Sequence, residues 1–484
     1  MTRRRALLLA AIAALFWLCR RAYWLGCFND DAFYLIGARS LLTGRFAELQ
    51  APGAPPLVAY LPGWPLLLAP AAALSGGSAE ILSAYAVGLH LAALALLGAV
   101  FDREVSPELS DLALAAIAVS PLVASTAATL LSDGPMLFCA AAALALLPRV
   151  WARREPAPWL GFGLALGLAA LVRPNGLTLA AAIAAALALE KRPREAASVL
   201  LPAAAVLGAW LARDAAAAGA PWNYWSEASS AVSGGRVGLA SNAAFYAREL
   251  FVRALWRPPF PAAPLAAAVA LAGAALAVLG LRGLRSPSGR AAAFFAVFYL
   301  LPVLAYDRRA SRYLIPVLPF AVLAVCRGLS RLGGRRAAAS GAALSVALSA
   351  WATAGVVRAS LDPSRRVLPK PERAAAWIAA HAPPDAVLAA EYDGRWSLLA
   401  GRRAVHLSYD ARTPEAVARL AAETGASLVV VEGQGAALRP AGGPFAAPDA
   451  AELSRLLAAV PGSVRVFADP GEGVEVWRLA SPRP

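Results

Sequence analysis

Long apolar stretches recur between Ala6 and Val357 and then stop, and this repetition limits the folds open to the chain. A membrane-spanning helix needs about 20 largely apolar residues, and a shorter stretch can span when its flanking side chains reach the interface. We therefore predict a polytopic α-helical membrane protein with about eleven spans, at residues 6–28, 81–101, 112–129, 134–147, 159–172, 175–189, 196–211, 261–281, 291–306, 313–326 and 337–357.

The composition agrees with a membrane protein. The chain is 59% hydrophobic and 15% charged, whereas soluble domains carry about a quarter charged residues. The net charge of +15 comes largely from arginines in short links between apolar stretches, where basic residues set topology. This distribution argues against nucleic-acid binding. The spacing of the four cysteines matches neither a metal site nor a disulfide framework.

The links between spans alternate in charge. One set is rich in arginine and lysine, and the positive-inside rule makes it cytoplasmic: residues 3–5, 149–154, 191–194, 282–290 and 327–336. The basic N-terminus lacks a small-residue cleavage site after its apolar run, so we expect an uncleaved first helix. The N-terminus is then cytoplasmic, and the alternate links, together with the chain after Val357, lie outside an inner membrane.

Two adjacent acids, Asp30 and Asp31, follow the first apolar stretch on the predicted outer side. One interpretation is capping, in which Asn29 or Asp30 is the N-cap of a helix over residues 31–42 that ends before Gly44. The other is a charged active-site centre at the membrane surface. Capping accounts for one acid and only loosely for the second, so both interpretations stay open.

Further motifs follow in a fixed order on the same predicted side. They are a proline-rich "YLPGWPL" at residues 60–66, "SDGP" at 132–135, a glycine-rich stretch ending in "VRPNG" at 172–176, and "YDRRASRYLIPVLPF" at 306–320. With the acidic pair, this order resembles the GT-C glycosyltransferases, and most closely the branch of protein O-mannosyltransferases and lipid A aminoarabinose transferases. The resemblance covers about residues 6–360.

The resemblance implies an enzyme that moves a sugar from a polyprenyl-phosphate donor to an acceptor hydroxyl, with inversion at the anomeric carbon. It implies that Asp30 is the catalytic base, whereas Asp31 stands where glutamate is common. Asp133 is a second acid near the acceptor or a helix cap. The departing phosphate needs positive charge, for which the candidates on the outer side are Arg173, Arg308, Arg309 and Arg312. Tyr34 and Tyr313 are candidates for lining the substrate.

Cofactors and partners follow from the same comparison. No cofactor is required, although Asp30, Asp31 and Asp133 offer carboxylate ligands for a divalent cation. The expected partners are a polyprenyl-phosphate sugar, a lipid, glycan or protein acceptor, and membrane lipids, with no nucleic acid. The rival functions are a lipid or sugar transporter or flippase, and a non-catalytic membrane scaffold.

After residue 360 the composition is that of a soluble domain. We predict helices at 372–382 and 413–425, strands at 385–392, 403–409 and 426–433, and a closing hairpin at 463–479. The predicted organisation is a transmembrane catalytic domain at 1–360, with an outer loop at 27–65, followed by a small periplasmic α/β domain at 361–484.

Overall fold

The computed structural model describes residues 2–218, 238–253, 263–306, 309–362, 369–407, 411–433 and 449–480. The chain divides into two compact units. The first comprises Met1–Tyr23, Leu61–Leu67 and Glu80–Asp362, and the second comprises Trp24–Tyr60, Leu68–Ala79 and Pro363–Pro484. The second unit thus contains the C-terminal tail together with the acidic pair and the residues on either side of that pair.

Helices make up most of the described part of the first unit, and the second unit also contains helical segments before the tail. In chain order they are α1 (Arg3–Cys19), α2 (Asp30–Leu42), α3 (Gly63–Ser75), α4 (Ala79–Phe101), α5 (Pro107–Ala118), α6 (Pro121–Thr126), α7 (Asp133–Trp151), α8 (Pro156–Ala170), α9 (Leu177–Leu189), α10 (Pro193–Ala218), α11 (Leu239–Arg248), α12 (Ala263–Leu281), α13 (Pro287–Ala305) and α14 (Leu318–Leu361). Within the described ranges, six of them, α4, α7, α10, α12, α13 and α14, are long and apolar enough to cross a membrane.

Four predicted spans have clearly different boundaries in the structure. The first helix ends at Cys19 rather than at residue 28, and a short 3₁₀ turn follows it. The span predicted at 112–129 is two helices, α5 and α6, because Pro121 lacks the N–H that a continuous helix requires. The spans predicted at 313–326 and 337–357 are joined in α14, whose helical geometry is interrupted at Gly334 (φ 71°, ψ −173°).

Close helix packing in the first unit depends on glycine. A Cβ atom at Gly163 of α8 would lie 2.6 Å from the carbonyl oxygen of Val199 in α10. One at Gly328 of α14 would lie 2.2 Å from the carbonyl oxygen of Leu276 in α12. Small residues let helix backbones approach closely in membranes, where no hydrophobic force drives helices together. These glycines therefore permit the α8–α10 and α12–α14 contacts.

The tail is a three-layer α/β domain. Its helices are α15 (Glu372–His381), α16 (Asp393–Ala400), α17 (Pro414–Thr424) and α18 (Ala450–Ala459), and its strands are β1 (Val387–Ala390), β2 (Arg403–His406), β3 (Ala426–Glu432), β4 (Val464–Asp469) and β5 (Val474–Arg478). The sheet order is β2-β1-β3-β5-β4, with β1 parallel to β2 and β3 and the remaining pairs antiparallel.

Apolar side chains from the sheet fill one core on each face. Leu388 and Val430 point to the side covered by α15 and α16, whereas Val429 points to the side covered by α17 and α18. The predicted strands, the hairpin and the helix predicted at 413–425 are confirmed, with Thr413 as the N-cap of that helix and Gly425 as its C-cap. The short helices α16 and α18 were not predicted.

Candidate functional site

Asp30 is the first residue of α2, and its hydrogen bond to the following loop lies beside a cluster of aromatic side chains. The Tyr60 hydroxyl donates a hydrogen bond of 3.0 Å to Oδ1 of Asp30. The Tyr60 ring stacks on Phe33 with centroids 5.0 Å apart and meets the edge of Tyr34 at 5.3 Å. These contacts fix the carboxylate at the helix start beside two side chains of α2. Tyr34, predicted to line the substrate, is buried in this aromatic group.

Asp31 has a different environment from its neighbour. Its side chain is fully buried, and its two oxygens accept hydrogen bonds from the backbone N–H groups of Gly26 (2.7 Å) and Phe28 (3.2 Å). Asp31 therefore organises the turn that precedes α2. Asn29 occupies the predicted N-cap position with φ 61°, but its side chain makes no capping hydrogen bond, and Asp30 is the first residue of the helix.

A second group of site candidates meets in the first unit, at the ends of three elements. Asp133 begins α7, Arg173 follows α8 in extended conformation, and Arg312 lies in the 3₁₀ turn Ser311–Leu314. An Arg173 guanidinium nitrogen donates to Oδ1 of Asp133, and an Arg312 nitrogen lies 3.8 Å from Oδ2. Both guanidinium carbons lie over the ring of Tyr313, at 5.2 and 5.6 Å. We call these four residues the arginine–aspartate cluster.

The carboxylate and the guanidinium groups of this cluster differ in exposure. The Asp133 side chain is 1% exposed, whereas those of Arg173 and Arg312 are 16% and 24% exposed. The carboxylate is therefore buried, whereas solvent or a ligand can reach part of both guanidinium groups. Arginine is the side chain best matched to phosphate because its planar fork donates two parallel hydrogen bonds.

The other two arginine candidates lie elsewhere or cannot be placed. The Arg309 guanidinium donates to Asn242 Oδ1 (2.7 Å) and Ser241 Oγ (2.6 Å), and it lies over Phe245. Its described contacts are therefore with α11. Arg308 lies outside the described residues. Among the residues that are described, no three His, Cys, Asp or Glu side chains come together as a metal site would require.

The sequence analysis missed a group in the tail that contacts the turn before α2. Arg395, in the first turn of α16, and Glu432, the last residue of β3, form a buried ion pair of 3.0 Å. The same guanidinium donates to the carbonyl oxygens of Gly26 and Cys27. No local sequence pattern signals these contacts, because Arg395 lies more than 360 residues from Gly26 and Cys27 in the chain.

Two further acids lie near this turn. Burial raises the pKa of Glu48 to about 7, and the neighbouring Asp393 carboxylate adds to the rise. Burial also raises the pKa of Asp393, against the opposing effect of His406. Gln50 bonds Glu48 through its amide at 3.3 Å.

Comparison with known proteins connects these observations to a fold. Residues 55–214 match the family model of dolichyl-phosphate-mannose-protein mannosyltransferases. The structure superposes on ArnT from Cupriavidus metallidurans bound to undecaprenyl phosphate with TM-score 0.63, 13% identity and full coverage of both chains. The chain has the GT-C glycosyltransferase fold.

Other proteins with the GT-C fold give the same result. The oligosaccharyltransferase AglB from Archaeoglobus fulgidus, in complex with an inhibitory peptide and a dolichol-phosphate, matches with TM-score 0.53 and 12% identity over 90% of this chain and 70% of that chain. The arabinofuranosyltransferase AftD from Mycobacteria matches with TM-score 0.52 and 15% identity over 100% of this chain and 40% of that one. No curated protein sequence matches the chain significantly. With its apolar helices, the GT-C fold makes this a multi-pass membrane protein.

Proposed function

We propose that this protein is a membrane glycosyltransferase that moves a sugar from a polyprenyl-phosphate donor to an acceptor hydroxyl, with inversion. The GT-C fold and the mannosyltransferase family model support the transfer of a sugar. Structures of two proteins with this fold contain undecaprenyl phosphate or a dolichol-phosphate, which supports a lipid-linked donor. The acceptor is a hydroxyl of a lipid, a glycan or a protein.

Asp30 is proposed as the base. The acceptor oxygen forms a bond to the anomeric carbon while the bond from that carbon to the phosphate oxygen breaks, and the hydroxyl proton passes to the Asp30 carboxylate. The observation that carries this assignment is the division between the two acids. Each carboxylate oxygen of Asp31 accepts a hydrogen bond from a backbone N–H group. Asp30, in contrast, is the first residue of the helix and accepts a hydrogen bond from the Tyr60 hydroxyl.

The arginine–aspartate cluster is proposed to bind the donor phosphate. The leaving polyprenyl phosphate gains negative charge as its bond to the sugar breaks, and preorganised cations stabilise that charge. Arg173 and Arg312 supply the cations, Asp133 orients them, and Tyr313 supports both guanidinium groups. Arg308 and Arg309 remain predicted contributors, and Tyr34 remains a predicted lining residue.

The proposed location is the inner membrane. The N-terminus is cytoplasmic, and the chemistry takes place on the outer side, where the arginine distribution puts the acidic pair. Residues 1–360 form the catalytic membrane domain in this proposal, and residues 361–484 form a periplasmic domain.

The test compares Asp30→Asn with the wild-type chain. Purified protein receives undecaprenyl-phosphate-linked sugars and a set of lipid, glycan and peptide hydroxyl acceptors, and the release of undecaprenyl phosphate is measured. Removal of a general base costs roughly 10²- to 10⁴-fold in rate, so Asp30→Asn should lose at least about 100-fold. The control is Asp385→Asn, an exposed aspartate of the tail, which should leave the rate unchanged.

Two results would contradict the proposal. Near wild-type transfer by Asp30→Asn would remove Asp30 from the mechanism while keeping the reaction class. A wild-type chain that consumes no lipid-linked sugar with any acceptor would favour the transporter or the scaffold instead.

A further inference from the structure

The sheet of the tail has an edge at which proteins of its architecture usually bind ligands. Strand β1 is followed through α16 by β2 on one side, whereas β3 lies on the other side, so the strand order reverses between β1 and β3. In open α/β sheets, ligands bind outside the carboxyl ends of the strands at such a reversal. Glu432 ends β3 at this edge, and Asp393 and Arg395 follow β1 there.

A segment of the same unit is bound at this edge. Arg395 Nε donates to the carbonyl oxygen of Gly26 at 2.8 Å, and a terminal nitrogen donates to that of Cys27 at 2.5 Å. The backbone N–H of Arg395 donates to Oδ1 of Asn29 at 3.0 Å. One residue of the tail thus contacts three of the four residues immediately before Asp30.

The Arg395 charge is balanced by a partner from β3. The other terminal nitrogen donates to both carboxylate oxygens of Glu432, at 3.2 and 3.0 Å, and the two side chains are 6% and 5% exposed. The guanidinium also lies over the rings of Tyr392 (4.2 Å) and Trp24 (5.3 Å). Removal of one partner of a buried ion pair leaves an uncompensated charge, so each partner depends on the other.

The turn needs such support because its backbone is unusual. Gly26 has φ 96° and Asn29 has φ 61°, both in the left-handed region that ordinary residues avoid. Glycine adopts this region readily, whereas a non-glycine residue such as Asn29 costs of order 1–3 kcal/mol there and persists only where its surroundings determine it. Asp31 binds the N–H groups of the turn, and Arg395 binds its carbonyl groups. Both the backbone N–H groups and the backbone carbonyl groups of the turn are therefore hydrogen-bonded to side chains.

We propose that Arg395, fixed by Glu432, is a positioning residue for Asp30, and that the tail holds the turn before Asp30 at the sheet edge where related architectures bind a ligand. This inference rests on the proposed function, because it assigns Arg395 an effect on the rate through Asp30. Arg395 itself contacts backbone atoms and is not proposed to touch the substrate.

The first experiment measures the turn itself and needs no substrate. Arg395→Lys keeps the charge but lacks the planar fork that reaches two carbonyl groups and a carboxylate together. In the full-length protein, hydrogen–deuterium exchange of the amides at residues 26–31 should become at least about 10-fold faster in Arg395→Lys and in Glu432→Gln. Arg402→Lys is the matched control, because Arg402 binds the carbonyl groups of Ala379 and Ala382 within the tail.

The second experiment measures transfer. Misplacement of a catalytic group by about 1 Å costs on the order of 100-fold, so Arg395→Lys should lower kcat by roughly 10- to 100-fold. The KM for the undecaprenyl-phosphate sugar should change less than about 3-fold, because the donor phosphate binds elsewhere. If Arg395 acts through Asp30, Arg395→Lys should cost less than about 3-fold in a chain that already carries Asp30→Asn.

Each alternative result has a distinct meaning. Unchanged exchange at residues 26–31 in both variants would overturn the positioning role whatever the activity. Faster exchange with an unchanged kcat would also overturn it. So would an Arg395→Lys substitution that lowers kcat as much in the Asp30→Asn chain as in the wild-type chain. Faster exchange in a protein whose wild type transfers no sugar would overturn the proposed function and the catalytic part of this inference, while the structural hold on the turn would stand.

Discussion

At the scale of single residues, the structure separates side chains that look equivalent in the sequence. Asp30 and Asp31 are adjacent acids, yet a helix turns consecutive side chains about 100° apart. Asp31 consequently points back to the N–H groups of its own turn, and Asp30 points to Tyr60. The same holds for the arginines near residue 310, since Arg312 faces Asp133 whereas Arg309 binds α11.

This separation of the arginines leads to a prediction about the donor phosphate. Arg173→Gln and Arg312→Gln should each raise the inhibition constant of free undecaprenyl phosphate by roughly 10-fold or more, because a charge-assisted hydrogen bond contributes about 1.5–3 kcal/mol. Competition against the lipid-linked sugar measures this constant. The matched control is Arg331→Gln, whose guanidinium donates to the carbonyl oxygen of Leu279 at 2.8 Å. Equal inhibition of all three variants would rule out phosphate binding at the arginine–aspartate cluster.

At the scale of secondary-structure elements, the loop after α2 adds to the sheet of the tail. The backbone N–H of Ala404 in the edge strand β2 donates to the carbonyl oxygen of Gln50 at 2.8 Å. An edge strand offers unpaired backbone groups, and this hydrogen bond uses one of them. Next to it, desolvation raises the pKa values of two acids, Glu48 and Asp393. These raised pKa values make the stability of this part of the second unit depend on pH.

The pH dependence has a definite sign. The pKa of Glu48 rises from about 4.5 to about 7 on folding, so the folded chain binds more protons than the unfolded chain between these values. The free energy of unfolding therefore falls as pH rises from about 4.5 to 7, by roughly 3 kcal/mol at most for this residue. Thermal unfolding in detergent across this range measures the slope.

Glu48→Gln should make that slope less steep, and the part that Asp393 contributes in the same direction should remain. Glu452→Gln, at an exposed position in α18, is the control and should retain the wild-type slope. A slope that survives Glu48→Gln unchanged would show that other groups cause the pH dependence.

At the scale of the whole molecule, the arrangement in the membrane follows from the arginines. The basic links are predicted to be cytoplasmic and the tail to be external. Alkaline phosphatase fused after Pro484 should therefore be active in a bacterial host, since this enzyme folds only where its disulfides form. The same reporter inserted in the basic link at 282–290 should be inactive. Activity at the link and none at the C-terminus would reverse the proposed orientation.

The membrane class and the tail were predictable because their signals are local. Hydropathy over about 20 residues identifies a span, and alternation or capping over a few residues identifies the elements of the tail. Local patterns did not predict where the helices are interrupted, nor the shortest helix of the tail. Pro121 divides one predicted span and Gly334 interrupts α14, and α16 is too short at eight residues to produce a periodic signal.

The sequence by itself determined a multi-pass helical protein with a small α/β tail, and it pointed to the acids and arginines of a GT-C site. Only the tertiary structure decided which of them lie in contact. Arg173 meets Asp133 across 40 residues, and Arg395 meets Gly26 across 369. Such pairs depend on how helices and strands pack, which no local pattern records. The tail therefore gained a contact with the turn before Asp30 that its own sequence does not reveal.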